Sequence, residues 1–283
     1  MTGSTVLVTG GNTGIGKATA EGLVRLGARV VITARDPARG VKAVEDLRRS
    51  TGRAQVDWMP LNLASLASVR AFAHDFRARF DRLDVLDLNA GAVHSRRRLT
   101  EDGYETQFQV NHLGHFLLTQ LLLDRLEAGA PSRIVVVSSN AHTGARHGLD
   151  FEDLQWERRG YRSMAVYSHT KLMNLYFTFE LARRLAGRGV TVNAVHPGFV
   201  GTQFGRGGDT RLLGLGTLIA RPFSRRPGRG AQGVIWLAAS PDVEGVTGEF
   251  FFDCSPARRS KPAQDAAAAA RLWELSARLS GAA

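Results

Sequence analysis

A phenol and an ammonium group stand four residues apart in the stretch Tyr167-Ser168-His169-Thr170-Lys171. On a helix, that spacing brings Tyr167 and Lys171 onto one face. A cation beside a phenol favours the phenolate, so the pair predicts a tyrosine that exchanges protons nearer neutrality than a free phenol, with its pKa of about 10. Catalysis by such a pair needs company: a cofactor, a donor for a developing oxyanion, and a route for the proton. Ser139 is a candidate donor, because it ends a β-branched strand, Arg133-Ile134-Val135-Val136-Val137-Ser138-Ser139. A nucleophilic serine would want a paired histidine and carboxylate, and a Gly-x-Ser-x-Gly elbow is missing. A serine that donates a hydrogen bond to a carbonyl needs neither. Asn111 is a further candidate, a polar residue in an otherwise apolar helical stretch that also carries His112 and His115. No carboxylate or cysteine stands at metal-ligand spacing to these histidines. Packing or hydrogen bonding is their expected role, and no metal site is expected.

The elements that must position these groups begin with Thr5-Val6-Leu7-Val8-Thr9, which reads as a buried strand. Gly10-Gly11-Asn12-Thr13-Gly14-Ile15-Gly16 follows as a tight turn opening a helix to about Leu26. Strand, glycine-rich turn and helix in that order let the backbone approach a pyrophosphate seated on unpaired N–H groups. The second strand is Arg29-Val30-Val31-Ile32-Thr33-Ala34, followed by Arg35, Asp36 and Pro37. Counting from the turn would make Asp36 the acid that holds a ribose, but Asp before Pro is the start of a helix, here over residues 37–50. The strand then ends on Arg35, a guanidinium suited to a 2′-phosphate, which favours NADP(H) over NAD. For Lys17 the plainer role is that of a lysine at a helix start.

A third strand at residues 54–59 leads to Leu61-Asn62-Leu63, and Ser65 begins an amphipathic helix with Leu66, Val69, Phe72, Ala73 and Phe76 on its inner face. Asn62 thus falls at a strand's carboxyl end, where ligands of open α/β sheets bind. The fourth strand, residues 83–88, carries an unexplained Asp87 and runs into Asn89-Ala90-Gly91, small enough to pass close to a cofactor. Residues 103–128 read as one long helix. A polar insertion, 141–163, precedes the helix of Tyr167 and Lys171, which runs to about residue 186. Val190-Thr191-Val192-Asn193-Ala194-Val195-His196 is a sixth strand, ending in Pro197-Gly198 and then Val200 and Thr202. Residues 204–229 hold an apolar run at 212–220. A helix at 230–239, a strand at 248–252 and an alanine-rich helical tail with Leu272, Trp273, Leu275 and Leu279 as its docking face complete the chain. This alternation predicts an α/β fold: a Rossmann-type doubly wound parallel sheet of about seven strands with helices on both faces. Residues 1–260 form a single dinucleotide-binding catalytic domain, and 261–283 pack on it as a tail.

Composition sets outer limits. The chain has 283 residues, 43% of them hydrophobic, and can bury a large core. The single cysteine, Cys254, rules out an internal disulfide framework and suits a reducing, cytoplasmic setting. No signal peptide or membrane span is evident. The formal charge of +11 invites a nucleic-acid partner. The charges nevertheless fall in scattered runs, Arg96-Arg97-Arg98, Arg158-Arg159, Arg225-Arg226 and Arg258-Arg259, without interleaved aromatics for base stacking. They are expected to be solvated surface, with no nucleic acid bound.

Taken together, Thr9-Gly10 with Gly14-Ile15-Gly16, Asn89-Ala90-Gly91, Asn111, Ser139, Tyr167 with Lys171, and Pro197-Gly198 with Thr202 resemble the short-chain dehydrogenase/reductase family over nearly the whole chain. The segments Gln109-Val110-Asn111-His112-Leu113-Gly114-His115-Phe116 and Val195-His196-Pro197-Gly198 are similar to its retinol dehydrogenase and WW-domain oxidoreductase branch. So is the wide gap between Ser139 and Tyr167. The resemblance implies an alcohol dehydrogenase or carbonyl reductase using NADP(H). Tyr167 is then the general acid in reduction and the base in oxidation, and Lys171 holds the nicotinamide ribose and lowers the tyrosine pKa. Ser139 bonds the carbonyl oxygen, and Asn111 holds a water that links the lysine to solvent. The cofactor lies against Gly10, Asn12, Thr13, Gly14, Ile15, Gly16, Arg35, Asn62, Leu63, Asn89, Ala90, Gly91, Pro197, Gly198, Val200 and Thr202. Residues 202–229 cover the substrate, which their apolar run predicts to be apolar: a retinoid, a long-chain aldehyde or a steroid-like ketone. The same stretch, 212–226, is also compatible with contact to a membrane surface or with a homo-oligomer interface. Three positions depart from the pattern: Asn62 stands where Asp is usual, Leu88 where Asn is common, and Asp87 where an apolar residue is. Two alternatives stay open. A non-catalytic dinucleotide sensor would be marked by loss of one of the four site residues, and all four are present. A protochlorophyllide reductase-like enzyme would be marked by a cysteine near the site.

Overall fold

The computed structural model describes residues 1–199 and 225–282. The expectations for Val200, Thr202, the run 212–220 and most of the 202–229 cover therefore lie outside the described residues. The strands are β1 (Thr5–Val8), β2 (Arg29–Ala34), β3 (Val56–Pro60), β4 (Val85–Leu88), β5 (Ser132–Val137), β6 (Val190–His196), β7 (Phe250–Phe252) and β8 (Ser255–Pro256). They form one eight-stranded sheet in the order β3-β2-β1-β4-β5-β6-β7-β8. All neighbours pair in parallel except β7 and β8, which are antiparallel. The parallel, doubly wound architecture is the one expected. The additional strand is β8, two residues long and joined to β7 by Asp253 and Cys254, which take φ values of 48° and 59°. Two residues are too few for any alternation to be read.

Strand order reverses between β1 and β4, so the loops leaving these neighbours diverge and open a crevice at the carboxyl edge. The helices α1 (Gly14–Arg25) and α2 (Pro37–Thr51), with α8 (Pro227–Ala239), cover one face of the sheet. The other face carries α3 (Leu66–Arg79), α4 (Thr106–Phe108), α5 (Gly114–Leu121), α6 (Leu123–Ala128), α7 (Ser163–Arg184) and the C-terminal α9 (Ala266–Ser280). Caps appear where the residue chemistry placed them. The Asp36 carboxylate accepts from the Arg39 N–H at 3.0 Å with Pro37 in the first turn, and the Ser65 hydroxyl accepts from the Ser68 N–H at 3.2 Å. The docking face of α9 is as expected: Leu272 and Trp273 are buried, and Leu275 and Leu279 pack against the core. Trp273 meets Phe116 edge-on at 4.9 Å and stacks on Phe177, with the Arg184 guanidinium 4.5 Å from its ring centre.

The expectation of one helix over 103–128 is corrected. Gly103 lies in a turn with φ of 81°, and the helix starts at Thr106, where the Glu105 carboxylate caps the Phe108 N–H at 2.7 Å. One π-helical turn, Gln109–Leu113, follows before α5, and the path breaks again at Leu122. Apolar periodicity reports which face is buried, not which carbonyl each N–H reaches, and a π-turn shifts the hydrogen-bond register without changing polarity. The close approach at Gly114 accompanies this turn: a Cβ there would lie 2.7 Å from the Leu63 carbonyl oxygen.

Asp87 sits in the centre of the sheet, in register with Val8 on one side and Val135 on the other. Its side chain shares the α1 and α8 face with Val85, is completely buried, and has no hydrogen-bond partner for either oxygen among the described residues. Burial raises its pKa well above the carboxylate range, which favours the neutral acid over the carboxylate. The buried Thr19 hydroxyl of α1 is likewise unpartnered. Replacing Asp87→Val should therefore increase stability by about 1–3 kcal/mol in denaturant titrations at neutral pH. The pH dependence has a definite sign. A carboxyl with a raised folded pKa binds its proton longer in the fold than in the unfolded chain. Wild type should lose stability as pH rises from about 4 toward the raised value. The Asp87→Val protein should lack this decline, and an unchanged slope would assign it to other groups.

Candidate active site

At the end of β1 the chain enters the glycine turn. Gly10 takes φ of 66°, and its N–H donates to the Thr33 hydroxyl at 3.2 Å. A Cβ on Gly16 would lie 2.4 Å from Asn89 Nδ2 and 2.6 Å from the Gly10 carbonyl oxygen, so only glycine lets α1 begin this close to the loop after β4. Thr13 is the N-cap of α1, with Asn12 before it and Ile15 in the first turn, and no side chain caps the helix. Its first turn has no side-chain cap among the described residues and no acid, a setting that suits a diphosphate. Arg35 is exposed just past β2 and makes no hydrogen bond or ion pair among the described residues. Lys17, by contrast, is paired to Asp46 of α2 at 2.8 Å, which gives it the plainer structural role. The glycine cradle, the uncapped helix start and Arg35 thus fit a dinucleotide phosphate.

The loop after β4 is bound to β1 through Thr9. The Thr9 hydroxyl accepts from the Asn89 and Ala90 amides at 2.9 and 3.0 Å, and Asn89 Nδ2 donates to the Thr9 carbonyl at 2.9 Å. Past Gly91, the Ala92 amide and carbonyl are both held by the Asn111 side chain, at 2.7 and 3.0 Å. Asn111 Nδ2 also donates to the Thr170 hydroxyl at 3.1 Å, one residue before Lys171. The Asn111 side chain is therefore a bracket between the loop after β4 and α7. Asn62, at the end of β3, has its Oδ1 accepting from the Ala64 N–H at 3.2 Å, so its acceptor already serves the local turn. Leu63 is buried in the core.

Ser139 and Tyr167 come together across the end of β5, where the serine hydroxyl favours the phenolate. Ser139 also caps the short 3₁₀ turn Asn140–Gly144, its Oγ accepting from the Ala141 N–H at 3.1 Å. Lys171 is buried beneath Tyr167: its ammonium lies 5.4 Å from the tyrosine ring centre and donates to the Val137 carbonyl at 2.9 Å. The Ser138 hydroxyl fixes the same helix turn by donating to the Lys171 carbonyl at 2.8 Å. Burial pushes the Tyr167 phenol up, and the neighbouring Ser139 hydroxyl opposes this only in part. Burial also brings Lys171 down to about 8. The expectation that Lys171 draws the phenol toward neutrality is thus not met in the protein alone. Its ammonium is bound to a carbonyl, and removing water from the phenolate outweighs a cation at this distance.

The polar insertion is anchored to the rim of the site. Tyr161 donates to the buried Glu105 at 3.0 Å, Gln107 Nε2 donates to Tyr161 at 2.7 Å, and Arg97, expected to be solvated, reaches the Gln155 carbonyl at 2.9 Å and Glu157 at 3.0 Å. His112 bonds Ser276 of α9 at 2.7 Å within an aromatic group of Phe108, Phe116 and Phe177, which is the packing role expected of it. Pro197 and Gly198 follow β6, and Gly198 has φ of 82° with Arg225 against it. Arg225, one of the cations offered to a membrane, is paired with Asp253. Cys254 lies in the β7–β8 turn. Thr9 and Thr170 are organising residues to which the sequence alone assigns no role. Their signal is a hydroxyl at a strand end and one beside the lysine, and each needs its distant partner to acquire meaning.

Residues 4–149 match the profile of the short chain dehydrogenase family. The chain is 48% identical to mouse retinol dehydrogenase 14 over 98% of its own length and 85% of that protein's. It is 42% identical to the WW domain-containing oxidoreductase of Danio rerio, covering 97% of this chain and 68% of that one. Among solved structures, the Pseudomonas aeruginosa RhlG/NADP active-site complex is similar, with a TM-score of 0.71 and 27% identity, covering 89% of this chain and 95% of that one.

Proposed function

The chain belongs to the short-chain dehydrogenase/reductase family, and on that footing we propose that it is an NADP(H)-dependent oxidoreductase interconverting an apolar alcohol, of retinoid type or similar, and its aldehyde or ketone. The observation that carries this is the placing of Ser139 beside Tyr167 at the sheet's carboxyl edge, near enough for its hydroxyl to favour the phenolate, beside a glycine cradle that suits a dinucleotide. A bound nicotinamide dinucleotide supplies or accepts the hydride. In reduction, Ser139 and Tyr167 hold the carbonyl oxygen, and Tyr167 delivers a proton to it as charge develops. A phenol kept protonated by burial is suited to donate. Lys171, held by Val137, orients and supports the tyrosine and has the ammonium to meet a ribose hydroxyl. The apolar substrate follows from the retinol dehydrogenases the chain resembles and from the run 212–220.

Arg35 supports NADP(H), as does the NADP complex of the similar RhlG structure. A charge-assisted bond to a 2′-phosphate contributes about 1.5–3 kcal/mol, equivalent to roughly 10- to 100-fold in affinity. Wild type should bind NADPH tighter than NADH by such a factor in fluorescence titrations, and Arg35→Ala should remove the difference. A wild-type protein that prefers NADH would overturn the cofactor assignment. A panel of retinal and other apolar aldehydes and ketones, followed by NADPH absorbance, tests the substrate class. Turnover confined to small polar carbonyls would contradict it.

A further inference from the structure

Thr9 and His115 are 106 positions apart in sequence, yet their side chains meet inside the fold, Thr9 Oγ1 to His115 Nε2 at 3.1 Å. Both are fully buried. On its other side, His115 Nδ1 lies 3.4 Å from the Asn111 carbonyl oxygen. A carbonyl can only accept, so Nδ1 carries the proton and Nε2 presents a lone pair. The Thr9 hydroxyl has two lone pairs and one proton. The lone pairs take the Asn89 and Ala90 amides at 2.9 and 3.0 Å. The proton has two acceptors in reach, the Asp87 carbonyl at 3.1 Å, which also accepts from the Thr9 amide, and His115 Nε2, which has no other donor among the described residues.

We propose that His115 is a positioning residue: as the Nδ1–H tautomer it turns the Thr9 hydroxyl so that both lone pairs hold the Asn89-Ala90 turn, and it secures the Asn111 carbonyl at the same time. This closes a ring. Thr9 holds Asn89 and Ala90, Asn111 holds Ala92 from both sides, and His115 joins Asn111 back to Thr9. The ring lies between the glycine turn and the helix of Tyr167. Small movements in it matter, because Asn89 and Ala90 already touch Gly16 and Gly10 as closely as glycine allows. A second proton on His115 would force Thr9 to accept three donors, and the fold resists it: burial, with the Lys171 charge nearby, brings the imidazole down to about 3.

The effect on cofactor affinity rests on the function proposed above, but the tautomer and the ring do not. Nitrogen-15 NMR of the full chain should therefore find His115 protonated at Nδ1 and bare at Nε2 at neutral pH. In His115→Leu, hydrogen exchange at the Asn89 and Ala90 amides should speed up by about tenfold or more. The Val192 amide, which donates to Thr247 at 3.0 Å in β6, should stay unchanged. His115→Gln, whose amide can donate to Asn111 and accept from Thr9, should restore much of the protection. A general packing defect would instead loosen the whole sheet and would not be rescued by glutamine. An Nε2–H tautomer, or exchange at Asn89 and Ala90 that is unchanged or altered only in step with the rest, would overturn the proposal. If the leucine variant does not fold, the wild-type tautomer and the glutamine variant decide. Failure of wild type to bind NADPH would count against the proposed function alone.

Discussion

Tyr167→Phe should bind NADPH as wild type does while reducing an accepted aldehyde about a hundred- to ten-thousandfold more slowly, the range in which a positioned general acid acts. Phenylalanine keeps the ring over Lys171, so the packing of α7 and the Lys171 bond to Val137 survive. What is lost is the single proton aimed at the substrate oxygen. Ser139 remains as a donor but caps Ala141 and carries no second proton to release. Single-turnover kinetics with saturating NADPH separate the two contributions, since binding amplitude should persist as the hydride-transfer rate falls. Turnover above a tenth of wild type would remove Tyr167 from the acid role.

Ser139→Ala should slow the same step by about 10²–10³, as expected for one donor that stabilises an oxyanion more than the carbonyl it comes from. The loss should fall on kcat, with KM little changed, because the bond strengthens as charge develops. The hydroxyl also opposes the upward push on the Tyr167 phenol. Removing it should therefore raise the upper pH limit of the reduction while lowering the plateau. Combined with Tyr167→Phe, the loss should be far less than the product of the two, since both act on one oxygen. Multiplicative losses would mean that the two residues serve separate steps.

Much of this site is legible in the order of its amino acids, because its signals are local. The bounds of β2 and β6 follow from β-branched runs with glycine or charge at their ends, and Asp36 before Pro37 and Ser65 before an amphipathic run are caps whose partner is three residues away. The spacing of Tyr167 and Lys171 on one helical face is local too. What is not legible depends on distant partners or on solvent. The π-turn at Gln109–Leu113 keeps its polarity pattern and changes only hydrogen-bond register. The Thr9 hydroxyl gains its role from residues about 80 and 106 positions away. Proximity of a cation to a phenol is a matter of spacing, but how far burial holds back the phenolate is not, and here burial wins. Asp87 shows the same limit. Its oddness is plain in a leucine-rich strand, while its lack of partners among the described residues emerges only in the packed sheet.

If hydride passes between NADP(H) and an apolar carbonyl held by Ser139 and Tyr167, the path of the hydride can be followed with an isotope. The direct measurement incubates the enzyme with retinal and NADPH deuterated at the nicotinamide C4 position, then locates the label by mass spectrometry. Wild type should form retinol with one deuterium on its carbinol carbon, and Tyr167→Phe should form it about a hundred- to ten-thousandfold more slowly. NADPH that binds but transfers no deuterium to retinal or to any other apolar aldehyde or ketone would contradict the proposed reaction.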